Sequence, residues 1–171
     1  PKIVLRGNPI MITLLPLGLA QAEDAALLAL RQRLGGATWS VTIQLPDRNE
    51  HVLTRYTAMP DGSVRGRGTV IDFGKKTPNV ETRFTWDRES KKVVMDDRHD
   101  TMRMTGEVRT EGNKLIFLYR PDGSSMEYIR DEVTFNAQSM GEGKVIAGGK
   151  TIASYTMRRV TEPSKILALR G

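Results

Sequence analysis

Beyond Gly36 the chain alternates apolar and polar residues with a period of two, and this pattern restricts its fold more than any other feature. Successive side chains of an extended strand point to opposite faces, so the stretch 38–45 places Trp39, Val41, Ile43 and Leu45 together, with Ser40, Thr42 and Gln44 opposite. The same reading predicts strands at 51–58, 64–73, 80–86, 91–95, 101–109, 114–120, 125–130, 131–137, 143–147 and 150–160. Turn chemistry separates them: Pro46-Asp47-Arg48-Asn49, Pro60-Asp61-Gly62, Asp87 to Ser90, Glu111-Gly112-Asn113, Pro121-Asp122-Gly123 and Gly148-Gly149. Gly66 and Gly68 share one face of their strand, where they permit a bend or the close approach of a bulky neighbour.

These connections leave no room for crossover helices, so a parallel α/β fold is disfavoured and the class is all-β and antiparallel. A meander of about ten strands must protect its edges, and closure into a barrel does so most completely. A two-sheet β-sandwich is the alternative. One short helix is predicted over 23–34, where Ala26, Leu27, Leu30 and Leu34 recur at helical spacing. Glu23 and Asp24 suit its positive end, Arg31 and Arg33 its negative end, and Gly35-Gly36 its stop.

Residues 1–22 carry Lys2 and Arg6, an apolar run from Ile10 to Ala20, and a small-residue exit at Ala20-Gln21-Ala22. That order is the order of a secretory signal, and the apolar run is too short to span a bilayer comfortably. The expectation is therefore a removed segment, 1–22, and one domain, 23–171, in the periplasm or outside the cell. The chain lacks cysteine, which excludes disulfides, thiolate metal sites and cysteine nucleophiles. Its net charge of +6 comes from 26 basic and 20 acidic side chains mixed along the chain. Without a basic tract interleaved with aromatics, no nucleic-acid partner is expected.

A short helix, LGGATW leading into the first strand, and a long meander together resemble the calycin-type families, the lipocalins, fatty-acid-binding proteins and their bacterial relatives. Lipocalins carry Gly-x-Trp at this point, whereas Gly36 and Trp39 are separated by Ala37 and Thr38. The resemblance implies a calycin-like barrel, with Arg158 or Arg159 of the last strand beside Trp39 as a fold-supporting contact.

Such a barrel can enclose one small ligand or fill itself with side chains. The expected inward set is Val41, Ile43, Tyr56, Phe84, Trp86, Met102, Met104, Phe117, Tyr119, Met126, Tyr128, Phe135 and Ile152, a lining suited to a flexible apolar molecule. Arg130 and Arg158 are candidates to face the same volume and pair with a carboxylate headgroup. The candidate ligand-binding residues are thus Tyr56, Trp86, Met102, Met104, Tyr119, Tyr128, Arg130 and Arg158. His99 with Asp96, Asp97 and Asp100 reads as a solvated acidic loop in preference to a metal site. No catalytic signature stands out, and no cofactor is expected. The leading expectation is noncatalytic binding or carriage of a small apolar, fatty-acid-like ligand. A packed structural or interaction module and an enzyme acting at the barrel mouth are the alternatives, and a transient membrane or protein partner stays open.

Overall fold

The computed structural model describes residues 24–72, 75–99, 102–136 and 140–160, apart from the side chains of 71–79. The predicted leader, residues 1–22, lies outside the described residues. Helix α1 (Ala25–Arg33) precedes ten strands: β1 (Thr38–Gln44), β2 (Asn49–Ala58), β3 (Val64–Asp72), β4 (Lys75–Asp87), β5 (Lys92–His99), β6 (Met102–Glu111), β7 (Lys114–Pro121), β8 (Ile129–Phe135), β9 (Met140–Ala147) and β10 (Lys150–Val160). Each strand pairs antiparallel with its chain neighbours, and β1 pairs with β10 to close the barrel. This closure selects the barrel over the sandwich. Closing pairs such as Val41 with Met157 and Ile43 with Tyr155 place apolar or aromatic residues on the inner face.

Two segments depart from the predicted layout. The acidic stretch 96–99 is no loop: β5 runs through it to His99, so the alternation begun at Val93 and Met95 carries Asp97 and His99 inward and Asp96 outward. Residues 125–128 are no strand, and β8 starts at Ile129, with inward Val133 buried to 2% exposure. Turn glycines behave as expected: Gly148 and Gly149 take φ of 55° and 73°, the left-handed pair that a tight two-residue hairpin requires.

Helix α1 starts at Asp24, whose Oδ1 accepts the Ala26 amide at 2.6 Å, and its last turn carries Arg31 and Arg33. Its Ala26, Leu27 and Leu30 are buried, and it packs against β3, β4, β6 and β7. The strand ends on this side bring Trp39, Val64, Phe84, Val93, Val108, Leu115 and Val133 into one apolar core with the helix. The helix therefore plugs one end of the barrel. At the opposite end Met102 is 51% exposed.

Leu30 is fully buried while Leu28, on the other side of the helix, is 41% exposed. Leu30→Ala is expected to cost about 2–5 kcal/mol of unfolding free energy, and Leu28→Ala less than about 0.5 kcal/mol, measured by urea denaturation. Equal losses would contradict the plug.

Candidate functional site

Above the plug the barrel encloses a cavity of about 310 Å³. Its wall is apolar over most of its area, with Leu34, Phe117, Phe135 and Met157 toward the helix and Ile43, Val52, Val80 and Val145 higher up. Met104 and His99 also line it, and the His99 side chain is 47% exposed, so the cavity reaches solvent at the end opposite the helix.

Inside this apolar wall sits a polar cluster. Tyr56, Tyr119, Tyr155, Asp97 and Asp131 all line the cavity. Each tyrosine faces a glycine on the adjacent strand: Tyr56 opposite Gly66, Tyr119 opposite Gly106, and Tyr155 opposite Gly143. At two of these glycines the rings occupy the space a side chain would take: a Cβ on Gly66 would stand 2.7 Å from Cε1 of Tyr56, and one on Gly143 would stand 2.5 Å from the Tyr155 hydroxyl oxygen. At Gly106 the close approach is of backbone, where a Cβ would meet Leu118 and lie 2.7 Å from Cα of Tyr119. The Tyr56 and Tyr155 rings thus lie across the neighbouring strands.

The Tyr155 hydroxyl donates to Oδ1 of Asp131 at 2.7 Å. Asp131 lies deep among protein atoms, and its remaining accessible surface opens onto the cavity it lines. Burial pushes its carboxyl up to about 7, with the nearby Glu132 charge acting in the same direction and the Tyr155 hydrogen bond opposing both. Tyr155 is held well above the ordinary phenol range, first by burial and then by Asp131. Tyr56 and Tyr119 are raised as well, burial leading, and each also feels the charges of both Asp97 and Asp131. Asp97 is braced by its own neighbours: the Thr82 hydroxyl donates to Oδ1, and His99 Nε2 lies 2.7 Å from Oδ2. The cluster therefore contains two carboxyls, three phenols and one imidazole. Among the described residues no Lys or Arg lines this cavity, and none form a cluster arranged to hold a metal ion.

Of the predicted binding residues, Tyr56, Met104 and Tyr119 line the cavity. Trp86 points inward but joins the core below it. Met102 has inward parity opposite His99, yet it stands at the open end, half exposed. Tyr128, Arg130 and Arg158 require correction. On β8 the odd-numbered residues Asp131, Val133 and Phe135 face in, because that face buries two apolar side chains; Arg130 therefore faces out, 2.6 Å from Glu132 and 3.0 Å from Glu111. Tyr128 is 50% exposed on the outer surface beneath the Arg120 guanidinium, whose carbon lies 4.7 Å from the ring centroid. On β10 the inward residues are Ala153, Tyr155 and Met157, after a register irregularity between Thr151 and Ala153, so Arg158 is exposed and Ile152 with it. Met126, also expected inside, is 61% exposed in the β7–β8 connection.

Of the two arginines expected beside Trp39, Arg159 stands directly across from it in the register and Arg158 does not. Arg158 pairs with Ser40 on the other face, and Arg159, across from Trp39, is exposed. Trp39 packs edge-on against Phe135 at 5.7 Å, and Arg33 of the helix lies over Phe135 at 5.3 Å. A larger concavity, about 860 Å³, lies on the outer face of β4–β7. Its charges are largely matched among themselves, with Lys92 2.6 Å from Glu107 and Arg103 2.9 Å from Asp96, so they leave less unmet polarity than the interior does.

No protein-family model matches the chain, and a search of curated proteins finds no significant match.

The buried carboxyl makes stability depend on pH with a defined sign. The folded state keeps the Asp131 proton up to about pH 7, whereas an unfolded aspartate loses it near the ordinary value of 3.8. The folded state thus binds more protons across that window, and stability falls as pH rises through it, by on the order of 4 kcal/mol. Asp131→Asn is expected to remove this loss between pH 4 and 7 relative to the parent, seen as a flatter series of urea midpoints. A variant with an unchanged slope would contradict the assignment.

Proposed function

We propose that this protein is a noncatalytic binder or carrier of one small, mainly apolar molecule held inside the barrel. The cavity of about 310 Å³, apolar over most of its wall and reaching solvent at one end, is the observation that carries the reading. It falls at the small end of the range of ligand sites, and covering an apolar surface there gains about 25 cal/mol per Å². A cavity of this kind supports a ligand over a solidly packed interaction module. Membership in the calycin-type families belongs to the same proposal, supported by a closed ten-strand antiparallel barrel with one short helix. So does action in the periplasm or outside the cell, through the targeting pattern of residues 1–22.

The headgroup expected from the arginines changes. With Arg130 and Arg158 on the outer surface and two carboxyl groups, Asp97 and Asp131, on the cavity wall, a fatty-acid carboxylate would meet acidic groups where it needed a cation. The ligand's polar end is better read as a hydrogen-bond donor. One observation favours an acid–base enzyme as a second reading: a carboxyl near neutrality and a His99–Asp97 pair share one cavity. Turnover would show as two related small molecules recovered from the same preparation.

Native mass spectrometry of gently purified protein is expected to show a small-molecule adduct that solvent extraction releases. Met104→Trp, which places an indole in the open half of the cavity, should lower affinity for an apolar fluorescent probe about tenfold or more, as lost contact area predicts. Arg130→Met and Arg158→Met should leave it within about twofold. Equal losses in all three variants would contradict an interior site.

A further inference from the structure

We propose that the cavity selects an organic cation, an ammonium group on an apolar body, held between the Asp131 and Asp97 carboxylates and the rings and hydroxyls of Tyr56, Tyr119 and Tyr155. This deepens the binding reading above and rests on it. Three observations support it.

The first is charge. Asp97 and Asp131 line the cavity, and no described Lys or Arg does, so the interior offers negative groups without a matching fixed cation. His99, the lining group that can turn cationic, is set 2.7 Å from Asp97 and serves that carboxylate. The second is unmet hydrogen-bonding capacity. Asp131 accepts from Tyr155 at Oδ1, and no described residue donates to its Oδ2, although a carboxylate has about four lone-pair sites. A buried carboxyl in that condition gains from a donor, and a charged donor gives the stronger bond. The third is the aromatic arrangement. Three phenol rings line the same volume, two of them, Tyr56 and Tyr155, pressed over glycines, and aromatic rings attract a desolvated ammonium. An anion finds no fixed cation among the described lining residues and only hydroxyl groups to donate to it, and a neutral apolar molecule brings no donor to Oδ2.

An ammonium beside Asp131 would draw out its proton, so cation binding is coupled to ionisation of that carboxyl. The groups that face it across the cavity are Tyr155 from β10, Tyr119 from β7, Tyr56 from β2, and Asp97 and His99 from β5. Raising the pH ionises Asp131, which favours a cation, and the Asp131→Asn variant removes that contribution.

The test compares octylamine, octanol and octanoate, which share a chain and differ in the head, by titration calorimetry on the full described barrel in the intact chain. At pH 7.5 octylamine is expected to bind about tenfold or more tightly than octanol, with octanoate weakest. Its affinity should rise between pH 5.5 and 8.5 while octanol's stays level. Asp131→Asn should remove about tenfold of the octylamine affinity and the larger part of its pH dependence, leaving octanol within about twofold. Octanol matching octylamine, or octanoate binding best, would overturn the cation inference and leave the apolar site standing. Failure of all three probes to bind, with Met104→Trp indistinguishable from the parent, would overturn both. Circular dichroism of Asp131→Asn checks that a lost affinity is not a lost fold.

Discussion

The pairing of β1 with β10 is the contact on which the rest of the molecule depends. Until the first and last strands meet, the sheet has two faces and two open edges, and neither face is an interior. Once Val41 stands beside Met157 and Ile43 beside Tyr155, every strand's alternate residues acquire a fixed address, inside or outside. A shift of one residue in that register would exchange Tyr155 for Ser154 on the inner wall. The polar cluster is therefore a property of the closed barrel and not of any one strand.

The tyrosine–glycine pairs show how closure is reconciled with bulky interior groups. A small barrel crowds its axis, and the Tyr56 and Tyr155 rings fit because Gly66 and Gly143 across from them have no side chain. The pairing also settles where the hydroxyls go, since a ring laid over a glycine has little freedom to turn away. The raised pKa values of Tyr155 and Asp131 follow from the same arrangement: the apolar wall excludes water and disfavours the charged form of each group, and their hydrogen bond partly offsets this for Asp131 while adding to it for Tyr155. A solid apolar filling avoids that desolvation cost, so these polar groups cost the fold stability that an apolar core would keep.

Much of the fold was legible because alternation and turns agree. Val80, Thr82, Phe84 and Trp86 lie on one face as their spacing implies, Asp24 caps its helix, and Gly66 admits a bulky neighbour as its position suggested. The candidate site was legible only in part. Tyr56, Met104 and Tyr119 were found by parity, whereas Tyr155 and Asp131 were passed over. For Asp131 the apolar pair Met126 and Tyr128 suggested the wrong face, and those residues belong to a connection in which strand parity has no meaning. For Tyr155 an irregularity after Thr151 separates Ile152 from the inward set. Asp97 and His99 were hidden differently: a run of charge resembles a loop, and only the continuation of the Val93 and Met95 alternation through it would have placed them on the wall. Hydropathy locates the residues that need burial, while a buried carboxyl runs against that signal and is read only from the register of its neighbours.

Helix α1 gives the barrel a blind end, and this sets the order of events for any occupant. The floor of Phe117, Phe135 and Met157 lies at the bottom of a shaft whose outlet, among the described residues, is beside His99. An elongated guest must go in greasy end first and come out backwards, its head never travelling past the rings. Arrival and departure then share one doorway, so residence time is set there, and a change at the rim alters both rates together while leaving the equilibrium between them largely untouched.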